Sequence, residues 1–157
     1  MRMHLELFVL PVSDVDRARG FYEEAGFRLD LAKDVSEEYR VVHLTPPGSE
    51  SSIIFGKGIT TATPGSVQGL YLVVDDIEEA RAELVGRGVA VSEVFHDARG
   101  IFFHGHDGGD VAHDGAGQDR MAGPHPERAS HGSYATFSDP DGNGRFVQEI
   151  TRRFPGR

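Results

Sequence analysis

The chain has no cysteine in 157 residues. That excludes disulfides, thiolate metal ligation and a cysteine nucleophile, while leaving the compartment open. Long apolar runs are missing too. The opening MRMHLELFVL is too short and too broken for a signal peptide or a membrane span, so a soluble, cytoplasmic protein is expected. Positive charge is scarce: 16 Lys and Arg against 25 Asp and Glu give a net charge of −9. So acidic a chain suits neither nucleic acid nor an anionic membrane. Apolar content is lean at 38%, and 20 glycines point to much turn and loop. No Gly-x-Ser-x-Gly, P-loop or dinucleotide glycine fingerprint occurs, and nothing places a nucleophile beside a base. The length, 1–157, is that of a single domain able to bury a real core.

What the chain does have is a repeat. The run over 10–27, LPVSDVDRARGFYEEAGF, returns without a gap 62 residues later as LVVDDIEEARAELVGRGV over 72–89. Val12 falls on Val74, Asp14 on Asp76, Val15 on Ile77, Ala18 on Ala80, Arg19 on Arg81 and Gly26 on Gly88. One duplication is too few copies for a solenoid, so it implies two equivalent halves. Each copy reads as strand, helix and glycine stop. Ser13 and Asp75 are the expected N-caps, with Asp16 and Glu78 at the capping-box position. Val15, Ala18, Phe21 or Tyr22, and Ala25 form the buried face of the first helix; Ile77, Ala80 and Leu84 form that of the second. Gly26 and Gly88 take the left-handed stop.

Around these helices the pattern predicts strands over 5–12, 27–31, 39–44 and 52–55, then 70–74, 89–95, 133–137 and 146–151. The stretch 56–65 is a turn-rich linker, and 96–132 a long Gly-, His- and Asp-rich loop of the kind that serves as a lid. The count is β-α-β-β-β twice. A sheet with two apolar faces needs both covered. If helices take one, the other, curved inward, makes a ligand groove.

The duplicated unit, the Val-Ser-Asp-Val-Asp-x-Ala-x-x-Phe-Tyr start over 12–22, Gly26-Phe27-Arg28 after it and Asp139-Pro140-Asp141-Gly142-Asn143 before the last strand resemble the vicinal-oxygen-chelate superfamily. This group contains glyoxalase I, bleomycin- and fosfomycin-resistance proteins, extradiol dioxygenases and methylmalonyl-CoA epimerase. The resemblance implies an α+β fold: two βαβββ modules, 4–58 and 67–152, forming a curved mixed sheet around a central groove, with a loop insertion over 96–132. It also implies a homodimer. It does not choose among the chemistries the fold hosts.

Metal-dependent members carry a His, Gln or Glu on the first strand of each half and a carboxylate on the last strand. Carried onto this sequence, these positions are Leu7, Gly69 and Phe146, with the fourth near Ile53 to Phe55. None offers the oxygen, imidazole or thiolate that a divalent cation needs. Three escapes stay open. A one-residue slip brings Glu6 inward at the cost of turning Leu5, Leu7 and Val9 outward. A bulge after Asn143 brings Glu149 inward in place of Gln148. The loop supplies His104 and His106, two residues apart as two ligands on one strand face would be, with Asp107, Asp110, His113 and Asp114 behind them. Against the loop site stands the cost of ordering glycines between the donors.

With Leu7, Gly69 and Phe146 inward, alternation brings Leu5, Val9, Tyr71 and Gln148 with them. The expected ligand-binding set is Leu7, Val9, Phe55, Tyr71, Phe146 and Gln148, with Phe102 and Phe103 closing from the loop. The reading preferred on these grounds is a protein that binds an apolar or aromatic small molecule, similar to bleomycin-resistance proteins, with no cofactor. The alternative is a metal-dependent lyase, isomerase or dioxygenase using Zn, Fe, Mn or Ni on His104, His106 or Glu149. A third reading is metal-free catalysis by Tyr71 or His104.

Overall fold

The computed structural model describes residues 1–98 and 120–155. They divide into two compact units, Met1–Val67 with Asp139–Asn143, and Gln68–Ser138 with Gly144–Arg157. The architecture is the expected α+β class, two mixed sheets each carrying one helix.

In the first unit β1 (Leu7–Val9) leads to α1 (Val15–Glu24), then β2 (Arg28–Asp34), β3 (Arg40–Thr45) and β4 (Ser52–Lys57). The sheet order is β1-β4-β3-β2, with β1 parallel to β4 and the other pairs antiparallel. Helix α1 buries Ala18 and Tyr22. The Tyr22 ring packs 5.1 Å from Phe27 and 5.9 Å from Phe55. Val42, Leu44 and Ile53 are buried with them. Each such side chain contributes roughly 1.5–3 kcal/mol on leaving water. Residues 139–143 complete this unit: Asn143 Nδ2 donates to Pro11 O (3.0 Å) and Asp139 Oδ2 (2.8 Å), and its Oδ1 accepts from Val67 N at 3.1 Å.

The helix starts differ from expectation by one residue. Asp14, not Ser13, caps α1 and accepts from Arg17 N at 2.9 Å. Ser13 is already committed to Asp141, to which its backbone N–H and hydroxyl both donate. With the cap displaced, Asp16 no longer stands at the capping-box position; it pairs with Arg40 instead, at 3.0 and 2.6 Å. Asp76 likewise replaces Asp75, accepting from both Glu78 N and Glu79 N. The glycine stops fall where expected, Gly26 at φ 96° and Gly88 at φ 87°.

The second unit runs β5 (Leu70–Val74), α2 (Ile77–Gly86), β6 (Phe95–Asp97), β7 (Arg120–Ala122), β8 (Tyr134–Ser138) and β9 (Gly144–Glu149). Its order is β5-β9-β8-β6-β7. Without β7 this repeats the first sheet, so the duplication in sequence is a duplication in topology. Two expectations need correcting. The strand expected over 89–95 is regular only from Phe95. Ahead of it Ser92 binds Thr136 through its N–H (2.8 Å) and its hydroxyl (2.9 Å), a side chain taking one ladder position. And β7 lies inside 96–132, expected to be loop, where it pairs antiparallel with β6. Among the described residues no helix is long and apolar enough to cross a membrane.

Candidate functional site

Along β9, Phe146 and Gln148 point to one side of the sheet and Arg145, Val147 and Glu149 to the other. Glu149 Oε2 accepts from Ile77 N at 3.1 Å, so its side is the one that carries α2. The Phe146 side is the face away from α2. Register then assigns its members: Tyr71 pairs with Phe146, Val73 with Gln148, Tyr134 with Gln148, Phe95 with Tyr134, and Asp97 with Arg120.

These side chains form a continuous aromatic layer. Tyr71 stacks on Phe146 with centroids 4.8 Å apart and planes 11° from parallel. Tyr134 meets Phe146 edge-on at 6.4 Å, and Phe95 stacks on Tyr134 at 5.7 Å. The Arg120 guanidinium sits 4.0 Å over the Phe95 ring. Phe95, Tyr134 and Phe146 form a buried cluster, whereas Tyr71 is 38% exposed. The buried rings are a platform, and Tyr71 is the ring that meets solvent. Offset stacks of this kind contribute about 0.5–1.5 kcal/mol beyond their burial.

Polar groups lock the platform. Gln148 Nε2 donates to the Tyr134 hydroxyl and to His131 O, both at 3.1 Å, and the Tyr134 hydroxyl donates to His131 O. Gln148, expected to orient a ligand, thus has its amide nitrogen held inside the protein. Burial pushes the Tyr71 phenol above the usual tyrosine range, and the Arg120 cation opposes that shift. Burial also pushes Tyr134 up, against the hydrogen bond from Gln148 and with the fields of Tyr71 and Asp97.

In the first unit Leu7 and Val9 share the face opposite α1. One rung of that sheet reads Val9, Ile54, His43, Leu31, part apolar and part exposed. Phe55 does not belong with them. It pairs with Val42 on the other face, fully buried against Tyr22. The run Ser52-Ile53-Ile54-Phe55 has no alternation to reveal which residues face which way, and Phe55 is a core residue.

The metal alternatives divide. Phe102, Phe103, His104 and His106 lie outside the described residues. Glu149 is corrected: no bulge turns it to the Phe146 face, and the β8–β9 register runs without a shift. It is buried on the α2 side, bound to Ile77 N and, at 2.6 Å, to Arg128 Nη2. At the remaining family positions, Leu7 and Phe146 lack donors and Gly69 lies just ahead of β5 with φ 76°. Among the described residues no three His, Asp or Glu side chains come together as a metal site. The residues present at these positions do not fit a divalent cation.

Sequence reasoning missed Arg120, Tyr134 and Phe95. Tyr134 and Phe95 stood in expected strands, with nothing local to mark their face. Arg120 stood in a stretch without periodicity.

Comparison with known proteins agrees with this geometry. The family described as Glyoxalase/Bleomycin resistance protein/Dioxygenase superfamily matches residues 4–112. TnmS3, an antibiotic binding protein from Streptomyces sp. CB03234, is 29% identical with a TM-score of 0.64, covering 95% of this chain and 97% of its own. A glyoxalase/bleomycin resistance protein from the same organism is 31% identical with a TM-score of 0.61, covering 93% and 100%. A superfamily member from Sphaerobacter thermophilus DSM 20745, 24% identical with a TM-score of 0.63 over 94% and 98%, shares the fold. No curated protein sequence matches. A family match over more than half the chain, on two sheets that repeat one strand order, establishes that this protein belongs to the glyoxalase/bleomycin resistance protein/dioxygenase superfamily.

Proposed function

We propose that this protein binds an apolar or aromatic small molecule at Tyr71, on the face of its second sheet away from α2, with no metal at Leu7, Gly69 and Phe146. The observation that carries this reading is Tyr71. It is a 38% exposed ring stacked on a cluster of buried aromatics, on the face of the sheet opposite α2 among the described residues. A solvated apolar ring on a preformed platform favours a planar ligand, at roughly 25 cal/mol for each Å² of apolar surface covered. The likeness to an antibiotic binding protein supports sequestration of a natural product over its conversion. The working form in this reading is a cytoplasmic homodimer.

The test is calorimetric titration with bleomycin and a panel of flat aromatic antibiotics, before and after EDTA treatment. Affinity should be the same in EDTA, and Tyr71→Ala should weaken it by about 1–2 kcal/mol. Binding lost in EDTA and restored by Zn, Fe, Mn or Ni would overturn the metal-free reading in favour of a metal-dependent lyase or dioxygenase.

A further inference from the structure

We infer that His96 and His125 form a second binding site, on the face of the second sheet opposite Tyr71, that takes the hydroxyl group of a phenol. Phe95 pairs with Tyr134 in the aromatic layer. Alternation along β6 therefore turns His96 to the other face, the one that carries α2. His125 follows β7 and brings its ring edge-on to that of His96, with centroids 5.9 Å apart and planes at 67°. Both residues keep part of their surface in solvent.

Each ring is held by one of its nitrogens. His96 Nδ1 lies 2.9 Å from Gly123 O. A carbonyl oxygen only accepts, so Nδ1 carries the hydrogen, and Nε2 of the neutral ring is a bare acceptor. His125 is the reverse. Its Nδ1 accepts from Glu127 N at 3.3 Å, so the hydrogen of the neutral ring is on Nε2, a donor. Among the described residues neither Nε2 has a hydrogen-bond partner. The chain around His125 fixes it further. Pro124 and Pro126 flank it, and its N–H donates to Ser133 Oγ at 3.0 Å. Gly132 makes room for the ring: a Cβ there would stand 3.0 Å from the Cβ and Cδ2 of His125.

The pair thus offers one acceptor and one donor side by side. A hydroxyl group is their complement, because one oxygen gives a hydrogen to His96 and accepts one from His125. A carboxylate needs donors and would meet the His96 lone pair. A divalent cation needs bare nitrogens and would meet the His125 N–H. Met121, opposite His96 in the β6–β7 pair and 51% exposed, adds an apolar neighbour on the same face. Contact of its thioether with a ring favours a phenol over an aliphatic alcohol.

The experiment is NMR on the intact chain in mildly alkaline buffer, with phenol, its methyl ether anisole, benzoate and zinc as separate probes. Proton–nitrogen correlation spectra of the histidine rings, assigned through His96→Phe and His125→Phe, read the tautomers directly. His96 should carry its hydrogen on Nδ1 and His125 on Nε2. Phenol should shift both rings saturably and bind about five-fold tighter than anisole, roughly the worth of one net hydrogen bond. His96→Phe and His125→Phe should each erase that difference at the ring that remains. Gly132→Ala, which crowds His125, should weaken phenol binding and leave the His96 tautomer as it is. Reversed tautomers, equal affinities for phenol and anisole, benzoate bound more tightly than phenol, or zinc bridging both rings would each overturn the inference. None of these outcomes bears on the reading proposed for Tyr71, because the signals followed belong to these two rings.

Discussion

The Tyr22 hydroxyl, buried under α1, donates to Asp139 Oδ2 across 2.8 Å and 117 residues of sequence. Asp139 also accepts from Asp141 N, Asn143 N and Asn143 Nδ2. A short Asp-Pro-Asp-Gly-Asn turn is in this way a buried polar clamp on the first helix. Tyr22→Phe should lower stability by about 1–3 kcal/mol, the cost of removing one partner from a buried charged acceptor. Asp139→Ala, which strips four donors, should cost more than Tyr22→Phe. Urea unfolding midpoints check both; equal stabilities for Tyr22→Phe and wild type would mean the bond contributes nothing.

Glu149 anchors the start of α2. Arg128 bridges it to Glu78, at 2.6 and 2.7 Å, and Glu149 in turn holds Ile77 N. Glu149→Gln keeps the shape but weakens the bond to Arg128, and should destabilise by roughly 1–3 kcal/mol. Its effect on bound metal should be nil, because the side chain faces α2. Elemental analysis of wild type and variant, purified without a histidine tag, decides this: a metal lost with Glu149 would return it to the list of ligands.

The tyrosines of the aromatic layer set an alkaline limit. Tyr71 and Tyr134 both ionise above the ordinary value of 10.0 in the folded protein. As pH rises past that value the unfolded chain loses these protons first. The stability they contribute is complete below about pH 10 and is lost as pH climbs toward the folded pKa values. Unfolding midpoints should therefore fall above about pH 10, and Tyr134→Phe should flatten the fall. A midpoint independent of pH there would refute the burial account.

Replacing Tyr71 by Phe separates stacking from the hydroxyl. The ring and its 4.8 Å stack on Phe146 remain, so affinity for a flat aromatic antibiotic that binds the wild type should stay within about two-fold, a difference under 0.5 kcal/mol. A loss as large as that of Tyr71→Ala would assign the contact to the phenol instead.

In solution a dimer of the 17.1 kDa chain is expected. Besides the family resemblance, strand β2 lies at a sheet edge with Leu31 exposed along it and Val35 and Tyr39 exposed in the turn that follows, an edge that favours pairing unless covered. Light scattering at micromolar concentration checks it, and a species of single-chain mass would rule the dimer out.

The 62-residue repeat and its glycine stops were legible because they are local. A helix that must turn back at once needs a left-handed residue, and Gly26 and Gly88 supply it at small conformational cost. The alternation that set Tyr71, Phe146 and Gln148 on one face needed only strand parity. Parity could not be read in Ser52-Ile53-Ile54-Phe55, where both faces are apolar, and there Phe55 was misplaced.

What only the tertiary structure decided depends on partners far along the chain. Ser13 and Asp14 are equally good caps, and the choice went to Asp14 because Asp141 had taken Ser13. Glu149 and Gln148 differ by one position, and the N–H of Ile77 together with Arg128 settled which one faces α2. Arg120 reaches the aromatic face through a three-residue strand too short to show a period, placed there by its pairing with β6. Local conformational preference is written residue by residue, whereas a side chain's charge partner is set by strand pairing that closes only when the whole unit folds.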